Sequence, residues 1–171
     1  PRPAEQLPVA FLSSELEAIV AVASTTDEQA RFPWPERDRA LVAVLAGAGL
    51  RASECCGLLI ADLLRDDDPV LRVLGKGNKE RRVPIAVEVV EAVDDYLATR
   101  AARLGPAKPT DLLFVRYNGL AFTREALNYH VVRWLDRAGV RKPDGECAHA
   151  FRHTYGKGLV ARGVALPAVQ Q

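Results

Sequence analysis

A chain of 171 residues, 49% hydrophobic and 26% charged, is long enough to bury one hydrophobic core. No apolar run approaches the roughly 18 residues that a membrane span needs, and the first residues lack the pattern of a signal peptide, so we expect a cytoplasmic protein without membrane contact. The net charge of +1 neither demands nor excludes a polyanionic partner. The three cysteines match neither a disulfide framework nor a four-ligand zinc site and are predicted to be buried thiols.

The first part of the chain is predicted to be helical. The stretch SSELEAIVAVAS begins a helix, with Ser14 and Glu17 in capping-box spacing. ERDRALVAVLAGAG forms a second helix, which ends at Gly49 because glycine is favoured just past a helix end. Ser53 is predicted to cap a short third helix that runs through Leu59.

A hairpin follows, where the hydrophobic period changes. The runs PVLRVL and RRVPI flank the turn GKGNKE, and Pro84 places the second run at a sheet edge. A long helix from about Ala86 to Arg103 and a short buried run from Leu112 to Val115 come next. The sequence therefore predicts a predominantly α-helical α+β fold, one domain over residues 1–171, with a small antiparallel sheet.

Two further helices complete the pattern. Thr123 caps a helix that ends at Gly139, and HAFRHTYGKGLVARG forms another that is stopped by Gly163. Pro167 has the position of a first-turn proline, but only four residues follow it, and an isolated turn is not stable. Since the sequence also starts at Pro1 and contains no methionine, we expect a fragment of a longer protein, cut at a helix start.

Two motifs place charged side chains at useful spacing. In LRASE, Arg51 and Glu54 lie three residues apart, close enough for the carboxylate to orient the guanidinium, although such pairs are also common on helix surfaces. In GKGNK, glycines allow close backbone approach, and Lys76 reaches out from the hairpin tip. This tip is not a nucleotide P-loop, which joins a strand to a helix and needs a hydroxyl residue after the lysine.

The third motif, HAFRH, places His149, Arg152 and His153 on one side of a helix. Two histidines at i and i+4, with Cys147 nearby, also have the spacing of a zinc pair. A zincin has glutamate directly after the first histidine, however, and here Ala150 stands in that place. Zinc binding and a purely structural cluster stay as alternatives, and no metal site is predicted.

Together the three motifs supply two arginines, a lysine and a histidine, with a glutamate to orient one arginine and no carboxylate cluster for magnesium. Arginine makes planar, bidentate contacts to phosphate oxygens, and lysine protonates a leaving oxyanion when a cationic pocket lowers its pKa. Fixed cations would then stabilise the negative charge that develops in a pentacoordinate transition state at phosphorus. This residue set predicts metal-free phosphoryl transfer.

Three stretches resemble, in order and spacing, the catalytic domain of tyrosine recombinases of the phage-integrase family: GAGLRASECCGLLIADL, VLGKGNKERRVPI and HAFRHTYGKGLVARGVALPAVQ. The resemblance runs from about Leu12 to the last residue. It implies the fold of DNA breaking-rejoining enzymes and site-specific cutting and rejoining of double-stranded DNA through a 3′-phosphotyrosyl intermediate, without metal or ATP. It also implies tetramers on DNA that exchange tail helices.

Carried over by position, the resemblance implies roles for individual residues. Arg51 and Arg152 would clamp the non-bridging oxygens of the scissile phosphate, and Glu54 would support Arg51. Lys76 would be the general acid for the 5′-oxygen, and His149 would serve proton transfer and phosphate binding. Basic neighbours are expected to contact DNA: Lys79, Arg81, Arg82 and His153.

The sequence offers no good candidate for the family's nucleophilic tyrosine. In the family the chain continues past the residues matched by the final VQQ towards that tyrosine, and a helical DNA-clamping domain precedes the catalytic one. Tyr96 falls on a core stripe, Tyr117 in a loop and Tyr129 within a helix, and Tyr155 occupies a place where the family has a packing residue. The chain as written is therefore expected to bind DNA and not to cleave it.

Three alternatives remain at this stage. A DNA-binding module could keep the fold without the chemistry. An enzyme like the type IB topoisomerases would use the same arginine and lysine chemistry to relax supercoils without sequence choice. A metal-dependent hydrolase is the third and would lose activity in the presence of a chelator.

Overall fold

The computed structural model describes residues 10–161, apart from the side chains of residues 158–161. The elements of this part are, in chain order, α1 (Ser13–Ala23), α2 (Pro35–Ala48), α3 (Ala52–Cys56), β1 (Leu63–Leu64), β2 (Val70–Leu74), β3 (Glu80–Pro84), α4 (Val87–Leu104), α5 (Arg124–Ala138) and α6 (Ala148–Ala161). Short 3₁₀ turns occupy Ile60–Asp62 and Lys76–Asn78. The predicted α+β fold with a small antiparallel sheet is confirmed.

Helix α2 holds the described fold together by packing against α1, α4 and α6. Leu41, Val44, Leu45 and Ala48, which share one stripe, are all buried. Burial of this kind is the main source of helix stability in proteins, because isolated helices of this length are marginal in water. Large side chains from the other helices and loops fill the same core: Ile19, Trp34, Tyr96, Phe114, Trp134 and Phe151.

The sheet consists of three antiparallel strands in the order β1-β2-β3. The predicted hairpin is confirmed, with Leu71 paired to Val83 and Val73 paired to Arg81. Pro84 is exposed and lies on the outer strand β3. An edge position suits proline, because it has no N–H to donate to a further strand. The third strand, β1, was not expected from the sequence; its two residues add to the free edge of β2.

The predicted cap is wrong at α1 and correct at α5. Helix α1 begins at Ser13, and its first turn is capped by the Glu15 carboxylate, which accepts the Leu12 N–H at 2.8 Å, so Ser14 and Glu17 do not form the cap. Thr123 does cap α5, since its Oγ1 accepts the Ala126 N–H at 3.0 Å. A carboxylate three residues into a helix satisfies a free amide as well as a cap hydroxyl does, so Glu15 takes the role that was predicted for Ser14.

Helix α3 is shorter than predicted, and Ser53 does not cap it. It spans Ala52–Cys56 and begins directly after Arg51, whose N–H is accepted by Glu54. Beyond it the chain extends and pairs with the buried run after α4, where the Leu58 carbonyl accepts the Leu113 N–H at 2.7 Å. Pairing with that run ends the helix three residues early.

The cysteines behave largely as predicted. Cys55 and Cys147 are buried, Cys56 is half-buried, and all three are free thiols. Burial raises the pKa of Cys55 well above its usual value and that of Cys56 to about 11, so both are protonated at neutral pH.

The predicted helix stop at Gly163 and the proline start at Pro167 lie outside the described residues. Within the described residues, no helix is long and apolar enough to cross a membrane.

Candidate phosphate-binding site

The candidate site forms where three separate segments meet. Helix α2 ends at Gly49, whose φ of +62° turns the chain sharply towards α3. Arg51 and Glu54 lie on that turn and on α3, Arg81 comes from β3, and Arg152 comes from α6. We call these four residues, Arg51, Glu54, Arg81 and Arg152, the arginine cluster.

Glu54 is the centre of the arginine cluster. Its side chain is only 4% exposed. Arg51 Nη1 donates to Oε1 at 3.0 Å, and the Arg51 backbone N–H donates to Oε2 at 2.8 Å. Arg81 donates Nη1 to Oε1 at 2.7 Å and Nη2 to Oε2 at 3.0 Å. The ion pair predicted between Arg51 and Glu54 is present, and one buried carboxylate serves two arginines and a helix start.

These contacts determine the ionisation of Glu54. Burial on its own would raise the pKa of this carboxyl group, but hydrogen bonds from Arg81 and from the Arg51 backbone, with the positive charge of Arg81, lower it to about 2. The carboxylate therefore stays charged at every pH at which the protein is expected to work.

Arg152 reaches the cluster from α6. Its Nη1 donates to the Gly49 carbonyl at 2.7 Å and lies 4.0 Å from Glu54 Oε2. Burial lowers the pKa of Arg152, and neighbouring Arg51 lowers it further, although a guanidinium stays charged near neutral pH. The contact fixes a largely buried guanidinium beside the more exposed one of Arg51, whose side chain is 42% exposed.

The same turn is packed against Tyr155. A Cβ built on Gly49 would lie 2.2 Å from Tyr155 Cδ1, so only glycine leaves room for this ring. Tyr155 packs against the hydrophobic core from α6, one turn beyond Arg152. Its ring holds the α2 end against α6, which is a packing role of the kind that the family resemblance implied.

The hairpin brings its tip to the edge of the cluster. A Cβ on Gly75 would lie 3.5 Å from Arg81 Nη1 and 3.7 Å from Glu54 Oε1, so the residue before Lys76 adjoins the ion pairs. Lys76 itself is exposed, and its side chain makes no hydrogen bond or ion pair with the described residues. The next two residues, Gly77 and Asn78, both have positive φ, which closes the turn.

The two histidines of HAFRH lie together, as predicted. The ring centroids of His149 and His153 are 5.1 Å apart with the planes nearly perpendicular, and a cavity of about 370 Å³ opens beside them. Burial lowers the pKa of His153, and the charges of His149 and Arg152 lower it further, which favours the neutral imidazole. Within the described part of the chain, no three His, Cys, Asp or Glu side chains form a group that could hold a metal ion.

The charge balance of the cluster suits an anion. Three guanidinium groups surround one carboxylate, which leaves two positive charges unbalanced inside the cluster. Arg51 donates one side-chain N–H to Glu54, and Arg152 donates from one terminal nitrogen to the Gly49 carbonyl. The other N–H groups of both guanidinium groups remain available to a ligand. A tetrahedral oxyanion such as a phosphate diester matches this pair of partly committed guanidinium groups.

Of the four residues expected to contact DNA, three lie on the hairpin and fall into two groups. Lys79 and Arg82 are exposed on the hairpin, where they are available to a ligand. Arg81 is committed to Glu54 and is only 24% exposed, a role that the sequence analysis missed. The signal was present in the strand period, because Arg81 shares a face with the buried Val83.

The remaining tyrosines are occupied elsewhere. Tyr96 is buried, and its hydroxyl donates to the Leu113 carbonyl at 2.9 Å. Tyr117 stacks on Phe32 at 3.8 Å between ring centroids, and Tyr129 lines the same cavity as that pair. No residue of the arginine cluster lines that cavity.

Comparisons with known proteins give one consistent result. The model of a family described as the phage integrase family matches residues 10–171. Tyrosine recombinase XerC of Listeria monocytogenes serotype 4b is 35% identical over 167 residues, covering 97% of this chain and 53% of that protein. Tyrosine recombinase XerD of Halalkalibacterium halodurans is 32% identical over 171 residues, covering 100% and 54%. The chain spans about half the length of the curated relatives it matches.

Solved structures confirm the fold. The XerH site-specific recombinase bound to difH substrate in a pre-cleavage complex superposes with a TM-score of 0.78 at 29% identity, over 96% of this chain and 46% of that one. The XerA recombinase superposes with a TM-score of 0.77 at 26% identity, over 100% and 56%. The fold and the order of its elements are therefore those of recombinase catalytic domains.

Proposed function

The chain belongs to the phage integrase family of tyrosine recombinases, and from this we propose that it is the catalytic domain of a site-specific recombinase. The full protein would cut and rejoin double-stranded DNA through a 3′-phosphotyrosyl intermediate, with fixed cations and no metal at the phosphate. The observation that carries this proposal is the buried Glu54 carboxylate with three arginines around it. Such an arrangement keeps cations in place before the reaction, as transition-state stabilisation requires.

In this proposal Arg51 and Arg152 bind the two non-bridging oxygens of the scissile phosphate. Glu54 accepts a hydrogen bond from Arg51 at 3.0 Å, and the Gly49 carbonyl accepts one from Arg152 at 2.7 Å. Both side chains are therefore already ordered before DNA binds. Negative charge grows on these oxygens as the pentacoordinate transition state forms. Two fixed guanidinium groups then stabilise the transition state more than the ground state.

Lys76 and His149 are proposed to transfer protons, Lys76 as the general acid and His149 as the general base. Lys76 is exposed and directly follows Gly75, which adjoins the cluster, and its ammonium group would protonate the 5′-oxygen that leaves the phosphorus. His149 is exposed at the start of α6, three residues before Arg152. It would bind a phosphate oxygen and take the proton of the attacking hydroxyl.

The nucleophilic tyrosine is proposed to come from sequence outside residues 1–171. Curated relatives are nearly twice as long as this chain, which leaves room for such a segment and for a second DNA-binding domain. Double-stranded DNA is the proposed partner, contacted by Lys79, Arg82 and His153 beside the cluster. A tetramer assembled on DNA in the cytoplasm is the proposed working form.

The role of Lys76 has a direct chemical test in the full-length protein. Lys76→Ala is expected to slow DNA cleavage by about 10²-fold or more, because a 5′-alkoxide is a poor leaving group without a proton donor. A substrate with a bridging 5′-sulfur should restore most of the lost rate, since a thiolate leaves unprotonated. Single-turnover cleavage of both substrates measures the effect. An equal loss on both would assign the general acid to another residue, with Lys79 the first to examine.

A further inference from the structure

Arg81 makes the most complete ion pair of the described site, yet it does not belong to the residues proposed to touch the phosphate. Each of its two terminal nitrogens donates to one oxygen of Glu54, Nη1 to Oε1 at 2.7 Å and Nη2 to Oε2 at 3.0 Å. Glu54 Oε1 is shared with Arg51 Nη1, so the two guanidinium groups meet on one oxygen atom. A parallel two-bond contact fixes orientation as well as distance.

The strand position of Arg81 explains how it reaches an α3 residue 27 positions earlier. It pairs with the buried Val73 across the hairpin and lies on the same face as Val83. Its side chain therefore points towards the body of the protein, while Arg82 on the opposite face is exposed. This end of the hairpin packs against the ion pair, since a Cβ built on Gly75 would lie in ordinary van der Waals contact with Arg81 Nη1 at 3.5 Å and Glu54 Oε1 at 3.7 Å.

The hairpin tip needs such an anchor. Between the strands lies the short 3₁₀ turn Lys76–Asn78, and the Gly75 N–H donates to the Lys79 carbonyl at 2.8 Å across its base. Lys76, Gly77, Asn78 and Lys79 are all exposed. The ion pair between Arg81 and Glu54 is the side-chain link from this end of the hairpin to α3 among the described residues.

We propose that Arg81 is a positioning residue that fixes the Lys76 hairpin to the carboxylate orienting Arg51, so that the leaving-group lysine and the phosphate-binding arginine are held as one unit. This inference rests on the proposed function of Lys76 and Arg51. It assigns to Arg81 no contact with DNA. A lysine at this position would keep the charge but lose the two-bond contact, so it should not replace arginine.

The test measures single-turnover cleavage by the full-length protein on an ordinary duplex and on one with a bridging 5′-sulfur. Arg81→Ala is expected to slow cleavage of the ordinary duplex by about 10²-fold, and Arg81→Lys should fall nearer to alanine than to wild type. DNA affinity should change little. The sulfur substrate should recover most of the rate, because the misplaced Lys76 is then not needed. Loss of rate on both substrates, or loss confined to DNA affinity, would overturn the proposal.

Arg72→Ala is the matched control. Arg72 lies on the same hairpin and binds the largely buried Asp62 at 3.0 Å, and Asp62 also accepts a backbone N–H, from Leu59 at 2.8 Å. The control therefore removes an ion pair with one hydrogen bond from the same hairpin, outside the cluster, and should leave cleavage near wild type. Equal losses in Arg72→Ala and Arg81→Ala would reduce Arg81 to general support of the hairpin and overturn the proposal.

A second readout separates this inference from the proposed function. Amide hydrogen exchange at Gly75 should accelerate in Arg81→Ala and not in Arg72→Ala, whatever the protein does to DNA. If wild type cleaves neither substrate, the proposed function fails, and the exchange rate still decides whether Arg81 anchors the hairpin tip. Unchanged exchange at Gly75 in Arg81→Ala would overturn the anchoring role itself.

Discussion

Arg51→Ala in the full-length protein is expected to lower the rate of DNA cleavage by about 10³-fold or more, while the fold and most of the DNA affinity remain. The guanidinium is proposed to bind the phosphate oxygen on which charge grows, so its loss falls on the transition state. The side chain is 42% exposed, and Glu54 keeps Arg81 as a partner, so little stability depends on Arg51. DNA affinity is spread over many phosphate contacts and should weaken only modestly.

The companion variant Arg152→Ala should show the same loss of cleavage with an added loss of stability, because Arg152 also binds the Gly49 carbonyl at 2.7 Å. Arg39→Ala is the matched control. Arg39 lies on α2, and its ion pair with Asp95 is at the surface, where such pairs contribute little. Single-turnover cleavage and DNA binding are measured for all three. Cleavage at the wild-type rate in either cluster variant would refute the assignment of these arginines.

Glu54→Ala is expected to lower the free energy of unfolding by about 3–5 kcal/mol, as removal of one partner from a buried ion pair does elsewhere. It leaves Arg81 and Arg152 close together without their common counterion and takes the acceptor from the Arg51 N–H. Glu15→Ala is the matched control, because Glu15 caps α1 in the same way but binds no arginine among the described residues. That variant should lose only about 1 kcal/mol. Similar losses in both variants, measured by denaturant unfolding, would contradict this account.

The pH dependence of stability gives the same carboxylate a second signature. The pKa of Glu54 lies at about 2 in the folded protein, below its usual value of 4.5. The unfolded chain therefore takes up the proton first, and the stabilisation is complete above about pH 4.5 and is lost as the pH falls towards 2. The shift corresponds to a stabilisation on the order of 3 kcal/mol. Glu54→Gln should remove this part of the acid dependence, and an unchanged profile would contradict the assigned charge.

Much of the fold and part of the site could be predicted from local patterns. Spacing of three and four residues placed Arg51 beside Glu54 and His149 beside His153, because helical geometry makes such neighbours. The two glycine stops at Gly49 and Gly139 were also correct, since both have the left-handed backbone that glycine favours.

Contacts between distant segments could not be predicted in the same way. The strand period indicates that Arg81 and not Arg82 faces the protein, but only the register of the sheet and the position of α3 decide that Arg81 meets Glu54. The short length of α3 has a similar cause, because pairing between Leu58 and Leu113 depends on residues far apart in the chain.

The most direct test of the central claim is covalent trapping by the full-length protein. Nicked duplexes with randomised sequence release a short strand after cleavage, which prevents rejoining and leaves the protein attached to DNA. We expect an adduct that survives denaturation, depends on Arg51, and maps by mass spectrometry to a tyrosine outside residues 1–171. An adduct on Tyr155 would contradict the packing role of that ring. DNA binding without any adduct would contradict the recombinase proposal and favour a binding module that kept the fold without the chemistry.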